Sequence, residues 1–298
     1  MEIGDWTSSA EVNDIYRQAR TLGLESNLLE LEVYGFTIIE PEKVGIDLTK
    51  RMTTAIYDLI HGEASDHVPL NTYKNSNVDG RHLFHLLLKN PVFVEGMMNP
   101  VVMTLARFST GMKGKLNATV SFVKHGAANP TKLHCDATNV TAPMPPYGHF
   151  INISYVLTDY NVPNGTLAIV PGSNRWCRPP TPIEQPKCLG GVNDDICIPI
   201  IAKAGSIVAF NGNTWHGAYP KTSNEDRIHV SYGFARPYVM PGENYDDIPD
   251  SMAEQYGPEF AQLVGKYEWQ GWRSDGPRFE RAEAGEIARL AARKQASA

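Results

Sequence analysis

The chain has no C-x-x-C pair, no apolar run long enough to cross a bilayer and no excess of basic residues. Its four cysteines, Cys135, Cys177, Cys188 and Cys197, are spaced too widely for a zinc knuckle or a thioredoxin-type redox pair, so reduced thiols are expected. Lys and Arg number 27 against 33 Asp and Glu, a net charge of −6. That balance offers no field to nucleic acid or anionic lipid, and neither is expected as a partner. The opening "MEIGDWTSSAEV" lacks a positive n-region followed by an apolar h-region. No stretch approaches the roughly 18 apolar residues of a membrane span, and a cytoplasmic protein is expected. No internal repeat is visible, and no linker divides the 298 residues. A single domain over 1–298 follows, at the upper size for one core.

What is present changes in texture along the chain. Residues 1–115 read as mainly helical. "SSAEVNDIYRQARTL" offers Ser8 and Ser9 as N-caps, and "DLTKRMTTAIYDLIHG" runs from Asp47 to Gly62. Between them "GFTII" is a short β-branched strand stopped by Pro41. A third helix is expected through "GRHLFHLLLKN", resuming after Pro91. From 116 to 240, "NATVSFVK", "HFINISYVLTD", "TLAIVPG", "ICIPIIA", "GSIVAFNG" and "RIHVSYGFARP" are strand-length segments divided by Gly, Pro and Asn. Such a run suggests an antiparallel sandwich or barrel rather than a doubly wound parallel sheet. Residues 241–298 end in the Ala-rich "RAEAGEIARLAARKQASA", whose Ile287 and Leu290 share a face. That helix is expected to cap the core or to reach a neighbouring subunit, which leaves a homodimer open.

One stretch carries chemistry. In "KLHCDATN", His134 and Asp136 lie two residues apart, so on an extended segment both point to one face while Cys135 points to the other. A third ligand must then come from another strand end, and His216 in "GSIVAFNGNTWHGAYP" follows a strand and a turn and is flanked by Gly217. Two His and one carboxylate make a facial set that leaves positions on Fe(II) open. A rival pair, His82 and His85 with Asp79 before them, sits among Leu83, Leu86 and Leu87, and a half-buried helix face accounts for it without a metal. Eleven residues past His216 (227 − 216), Arg227 opens a strand on which His229, Ser231 and Gly233 share its face. A guanidinium there suits a dicarboxylate cosubstrate, because it pairs with a carboxylate through two hydrogen bonds and never loses its charge. A surface ion pair with Glu225 or Asp226 is the plainer role for the same residue.

"LHCD", "NVPNGTLAIVPGSNRW" and "WHGAYPKTSNEDR" occur in that order between Ser121 and Pro237. Together they resemble the motifs of the phytanoyl-CoA dioxygenase family of Fe(II)/2-oxoglutarate-dependent oxygenases. The resemblance implies a mainly β fold with flanking helices, a double-stranded β-helix of the jelly-roll, cupin-like type. It implies that His134, Asp136 and His216 hold Fe(2+), that Arg227 takes the far carboxylate of 2-oxoglutarate with help from Ser231, and that Lys124 approaches the same cosubstrate. The activity implied is O2-dependent oxidation of an unactivated C–H with release of succinate and CO2. Cys135 stands where Gln or Glu is common in the family, and Asn174 where His is usual. A cupin-like metal isomerase or hydrolase, and a barrel that only binds a ligand, would use the same scaffold and stay open here.

Two polar, turn-rich segments, 67–81 and 137–149, are candidates for the rim of the substrate pocket. Tyr73, Met144 and Tyr147 are the substrate contacts expected from them, and their lack of clustered Lys or Arg favours a neutral to mildly apolar small molecule. Arg175 and Trp176 are expected to border the pocket. The prolines at 143, 145 and 146 suggest a semi-rigid lid over 137–148.

Overall fold

The computed structural model describes residues 7–63, 81–137, 140–270, 272, 274 and 276–296. In chain order the elements are α1 (Thr7–Thr21), α2 (Glu25–Tyr34), β1 (Phe36–Ile39), α3 (Pro41–Val44), α4 (Ile46–Glu63), β2 (Arg81–Leu83), α5 (Pro91–Met97) and α6 (Pro100–Thr110). Then come β3 (Lys115–Lys124), β4 (Thr131–His134), β5 (Phe150–Val156), β6 (Leu167–Ile169), β7 (Ile198–Pro199), β8 (Ile207–Asn211), β9 (His216–Ala218) and β10 (Arg227–Ala235). The chain closes with α7 (Asp250–Leu263) and α8 (Phe279–Ala296).

The strands form a six-stranded sheet, β1-β8-β5-β10-β3-β2, and a four-stranded sheet, β4-β9-β6-β7, with antiparallel pairing throughout. This is the antiparallel packing that the run of short strands suggests, in the mainly β, helix-flanked jelly-roll form that the family resemblance implies. The large sheet has two chemically distinct faces because side chains alternate along each strand. Ile228, Val230, Tyr232 and Phe234 of β10, with Ile151, Ile153 and Tyr155 of β5, join one apolar core with Leu28, Met52, Ile56, Phe93, Val102 and Leu105 of the helices. Burying each such side chain stabilises the fold by about 1.5–3 kcal/mol. Two phenols fix the helices on the sheet at defined points. Tyr155 donates to the Gly96 carbonyl at 2.9 Å and Tyr232 to the Phe93 carbonyl at 2.8 Å. The alternate residues of the same strands face the small sheet and line a cavity of about 910 Å³.

The fold departs from the sequence expectation in three places. Arg81–Leu83 is a strand paired to β3 and Leu86–Leu88 a single 3-10 turn, so no helix covers "GRHLFHLLLKN". His85, at positive φ (52°), breaks the run that Leu-rich periodicity suggested. Helix α7 was hidden by Gly257 and Pro258 at its centre, where Gly257 takes the non-helical φ of 87°. On α8, Ile287 and Leu290 are exposed, which departs from the core-capping alternative alone.

Candidate active site

The site begins with strand pairing. His134 ends β4, His216 starts β9, and the two are direct cross-strand partners, with ring centroids 4.2 Å apart. Close approach of these strands requires Gly217, since a Cβ there would lie 2.4 Å from the Thr131 carbonyl oxygen. On its other side β4 is held by Gln185, whose side chain accepts from the Leu133 N–H at 2.8 Å and donates to the Leu133 carbonyl at 3.0 Å. Past the strand end, the N–H groups of Asp136 and Ala137 both donate to the Gly212 carbonyl, which turns the Asp136 carboxylate back toward the histidines. His134 Nε2 lies 3.6 Å from Asp136 Oδ1 and His216 Nε2 lies 3.5 Å from Asp136 Oδ2. One ligand atom from each of the three residues falls within 4.8 Å of the others.

The protonation pattern suits metal binding. His134 Nδ1 donates to the Lys132 carbonyl and His216 Nδ1 to the Thr214 carbonyl, each at 2.9 Å. A carbonyl can only accept, so both Nε2 atoms present their lone pairs to the space beside Asp136. Burial pushes the His216 pKa below its ordinary value, which keeps the imidazole neutral, the form that ligates. Asp136 Oδ2 accepts a hydrogen bond from the Asn152 side-chain amide on β5. Cys135 points away into an apolar cluster with Leu133, Ala168, Leu189 and Trp215, as alternation requires.

The cavity wall on the large sheet can be followed row by row from the strand register. Arg227 stands opposite Lys124, His229 opposite Phe122 and then His82, Ser231 opposite Val120 and Ser154, and Gly233 opposite Ala118 and Asn152. All of them line the cavity together with His134, Asp136 and His216. Arg227 is 4% exposed, its guanidinium stacks 4.9 Å over the Tyr160 ring, and its Nε is buried without a hydrogen-bond partner. It makes no ion pair with Glu225 or Asp226. Asp226 is engaged instead by Tyr57 and His125. Ser231 accepts from Ser154 Oγ at 3.2 Å. The ring of Phe122 lies between His82, 4.5 Å away and edge-on, and His229, 5.0 Å away and stacked. Burial, with Lys124 and Arg227 nearby, holds His229 well below the ordinary imidazole pKa.

The substrate-side expectations fare differently. Tyr73 lies outside the described residues. Met144 is 3% exposed and packs behind the site with Leu133, Cys135 and Trp215, not on the cavity wall, because the proline turns around it direct the thioether inward. Tyr147 is 49% exposed and sits under the Arg236 guanidinium at 4.8 Å, outside the cavity lining. Arg175 reaches back to the Glu32 carbonyl, and Trp176 packs edge-on to Trp215; neither borders the cavity. The mouth is made by Asn117, Phe150, His149 and the segment 238–242, which sequence reading passed over because it follows the last strand without a motif of its own. Asn152 was equally silent, since a lone Asn within "HFINISYV" carries no spacing signal.

A jelly roll with two histidines and an aspartate converging in its cavity defines a metalloprotein of the facial-triad class. The family model described as phytanoyl-CoA dioxygenase matches residues 34–229, well over half of the chain. The chain belongs to the phytanoyl-CoA dioxygenase family, whose cofactor set is Fe(II), 2-oxoglutarate and O2. It is 25% identical over 186 residues to the dioxygenase af480 of Aspergillus fumigatus, with 61% of this chain and 57% of that protein covered. The chain thus spans little more than half of that relative, and between 35 and 40% of several others. Among solved structures it is similar to the non-heme α-ketoglutarate-dependent epimerase SnoN from nogalamycin biosynthesis, with a TM-score of 0.55, 18% identity and 72% of this chain and 84% of that one covered. It is also similar to HygX from Streptomyces hygroscopicus with nickel and 2-oxoglutarate bound, with a TM-score of 0.57, 14% identity and 73% and 89% covered. At these identities the structural likeness speaks for the fold alone. No helix among the described residues is long and apolar enough to cross a membrane.

Proposed function

We propose that the chain is an Fe(II)/2-oxoglutarate-dependent oxygenase that oxidises, and in the simplest case hydroxylates, an unactivated C–H of a small molecule in specialised metabolism. The observation that carries this reading is the placement of a buried arginine and a metal-ligand triad on facing walls of one cavity. His134, Asp136 and His216 would hold the iron. Arg227, with its buried Nε lacking a partner, would receive the far carboxylate of 2-oxoglutarate through a charge-assisted pair. When bound, the iron, 2-oxoglutarate and O2 supply the oxidising power, with succinate and CO2 released.

The remaining work belongs to the protein. Ser231 and Ser154 present hydroxyls on the cavity wall two pleats from Arg227. The rings of Tyr160, stacked under Arg227, and Phe122, stacked on His229, put apolar surface at the Arg227 end, which strengthens the pairing by excluding water. The mouth combines Phe150, Val239, Met240 and Pro241 with only Asn117, His149 and Tyr238 as polar groups, and that lining suits a neutral, mildly apolar substrate. One solved structure of this fold is described as an epimerase, so the fold alone does not fix the outcome at the substrate carbon. The test is an anaerobic titration of the apoprotein with Fe(II) and 2-oxoglutarate, followed by visible absorption. A weak charge-transfer band in the green should grow to one equivalent, and a folded protein that shows none is not such an oxygenase. Screening compound pools for 2-oxoglutarate-coupled succinate release then narrows the substrate.

A further inference from the structure

We infer that Asn152 is the positioning residue that keeps Asp136 a one-oxygen ligand. Its side-chain amide donates to Asp136 Oδ2, so that oxygen is already engaged from the side of the large sheet. Oδ2 also borders the site, 3.5 Å from His216 Nε2, but it is Oδ1, 3.6 Å from His134 Nε2 and not engaged by Asn152, that is left to serve as the ligand. A carboxylate with neither oxygen engaged is free to turn and offer both to a metal, and the second oxygen would then occupy a coordination position that cosubstrate or O2 needs. Hydrogen bonding by neighbouring groups fixes ligand orientation and affinity in this way.

Asn152 is built to hold that position. Strand β5 is central, and Asn152 is paired through its backbone with Gly233 of β10 on one side and Phe210 of β8 on the other. Phe210 in turn lies against the His216 ring, 4.5 Å between centroids. One rigid row of the sheet therefore fixes both the orientation of the carboxylate and the packing of the second histidine. Asp136 is fixed from the opposite side by the Gly212 carbonyl that receives its N–H. The backbone contact fixes where the side chain starts, and the Asn152 hydrogen bond is what orients the carboxylate. Asn99, outside the cavity lining, donates its side-chain amide to the Val44 carbonyl and supplies a control for the loss of an amide hydrogen bond.

The inference rests on the triad being the metal site, and the experiment separates the two. Co(II) binding to the apoprotein is measured by calorimetry and by its visible d–d spectrum in the parent, Asn152→Ala, Asn152→Leu and Asn99→Ala. Leu fills the volume of Asn but cannot donate, so it removes the hydrogen bond without opening a cavity. The expected result is Co(II) affinity roughly 10- to 100-fold weaker in both Asn152 variants. Their d–d bands should also lose intensity, because a two-oxygen Asp136 raises the coordination number, while Asn99→Ala stays at the parent values. Parent-like affinity and spectrum in Asn152→Leu would overturn the role of Asn152 and leave the proposed function standing. Absence of Co(II) binding in the parent would remove the metal site itself.

Discussion

Lys124 and Arg227 are direct partners on adjacent antiparallel strands, both lining the cavity, with the Arg227 side chain almost wholly buried. Like charges placed opposite one another on a sheet repel, and a buried guanidinium nitrogen without a partner adds a desolvation cost. A carboxylate of the cosubstrate beside Arg227 would give the buried Nε a partner. Arg227→Ala should therefore weaken 2-oxoglutarate binding by about two orders of magnitude, the few kcal/mol of a lost charge-assisted pair, while Co(II) binding stays near the parent value. Parallel calorimetric titrations with metal and with cosubstrate check this. Unchanged cosubstrate affinity would move the anchor to Lys124. Arg236 is no alternative, being committed to the carbonyls of Gly148 and Ser109.

The two histidines are chemically equivalent but structurally unequal. His216 is 5% exposed and packed on Phe210, whereas His134 has its side chain nearly half exposed at the strand end. Either alanine replacement should abolish the Fe(II)·2-oxoglutarate band. Only His216→Ala should also lower the stability of the metal-free protein, by about 2 kcal/mol, because only there does truncation leave a cavity. Thermal unfolding of the two apo variants alongside the titration tests the contrast.

The triad could be read from the sequence because its members are tied to local patterns: a His and Asp two apart on one extended face, and a His delivered by a strand and turn. The place of Arg227 on the cavity wall was legible for the same reason, and the register puts His229, Ser231 and Gly233 on its face. What did not show was everything set by long-range pairing. Asn152 reaches Asp136 across 16 positions of chain, and nothing in its neighbours marks it. His82 reaches the cavity because Arg81–Leu83 adds an edge strand to β3, a decision made by the partner strand against a local Leu-rich pattern that favours helix. Met144 shows the opposite error, since a polar, proline-rich setting hid one buried anchor.

Glu243 ties the segment that forms the cavity mouth to the sheet. It is 6% exposed and accepts from the backbone N–H groups of His85 and Thr119, the Thr119 hydroxyl and the Tyr245 phenol. Glu243→Ala would strand four donors in a buried setting. A loss of about 2–4 kcal/mol in urea unfolding is expected, with Glu243→Gln losing less because it still accepts. Equal losses in the two variants would show that charge, not acceptance, is what the site requires.

Stability of the metal-free protein should fall on the acid side of neutrality. Burial lowers the pKa of His82, His149, His216 and His229, with Lys124 and Arg227 adding to the effect on His229. In the unfolded chain each regains a pKa near 6.5. Below that value the unfolded state binds protons that the folded state refuses. The stability contributed is therefore complete above about pH 6.5 and is lost as pH falls toward the lowered folded values, with a slope of up to ~1.4 kcal/mol per pH unit for each group. Urea midpoints at pH 7.5, 6.5 and 5.5 should decline in the parent and decline less in His229→Asn. A flat profile in the parent would mean that these rings take up protons in the folded state.

The loop after Asp136 should behave as a wall, not as the lid its prolines suggested. Met144 is buried against Leu133, Cys135 and Trp215, and its N–H donates to the Cys177 carbonyl at 2.7 Å. The Asn213 side chain donates to the carbonyls of Pro145 and Tyr147, at 3.1 and 3.3 Å, and the Arg236 guanidinium covers the Tyr147 ring. Opening the loop would unbury a methionine, break at least three hydrogen bonds and expose an arginine–aromatic contact, so its cost is that of local unfolding and not of a hinge. Amide exchange over residues 140–148 should therefore be slow in the metal-free protein and stay unchanged when Co(II), 2-oxoglutarate and a substrate found by the succinate screen are added together. Asn213→Ala should speed exchange in this segment without altering that of β5. Protection that rises in the parent only with substrate present would restore the lid and require the Met144 anchor to release during the cycle.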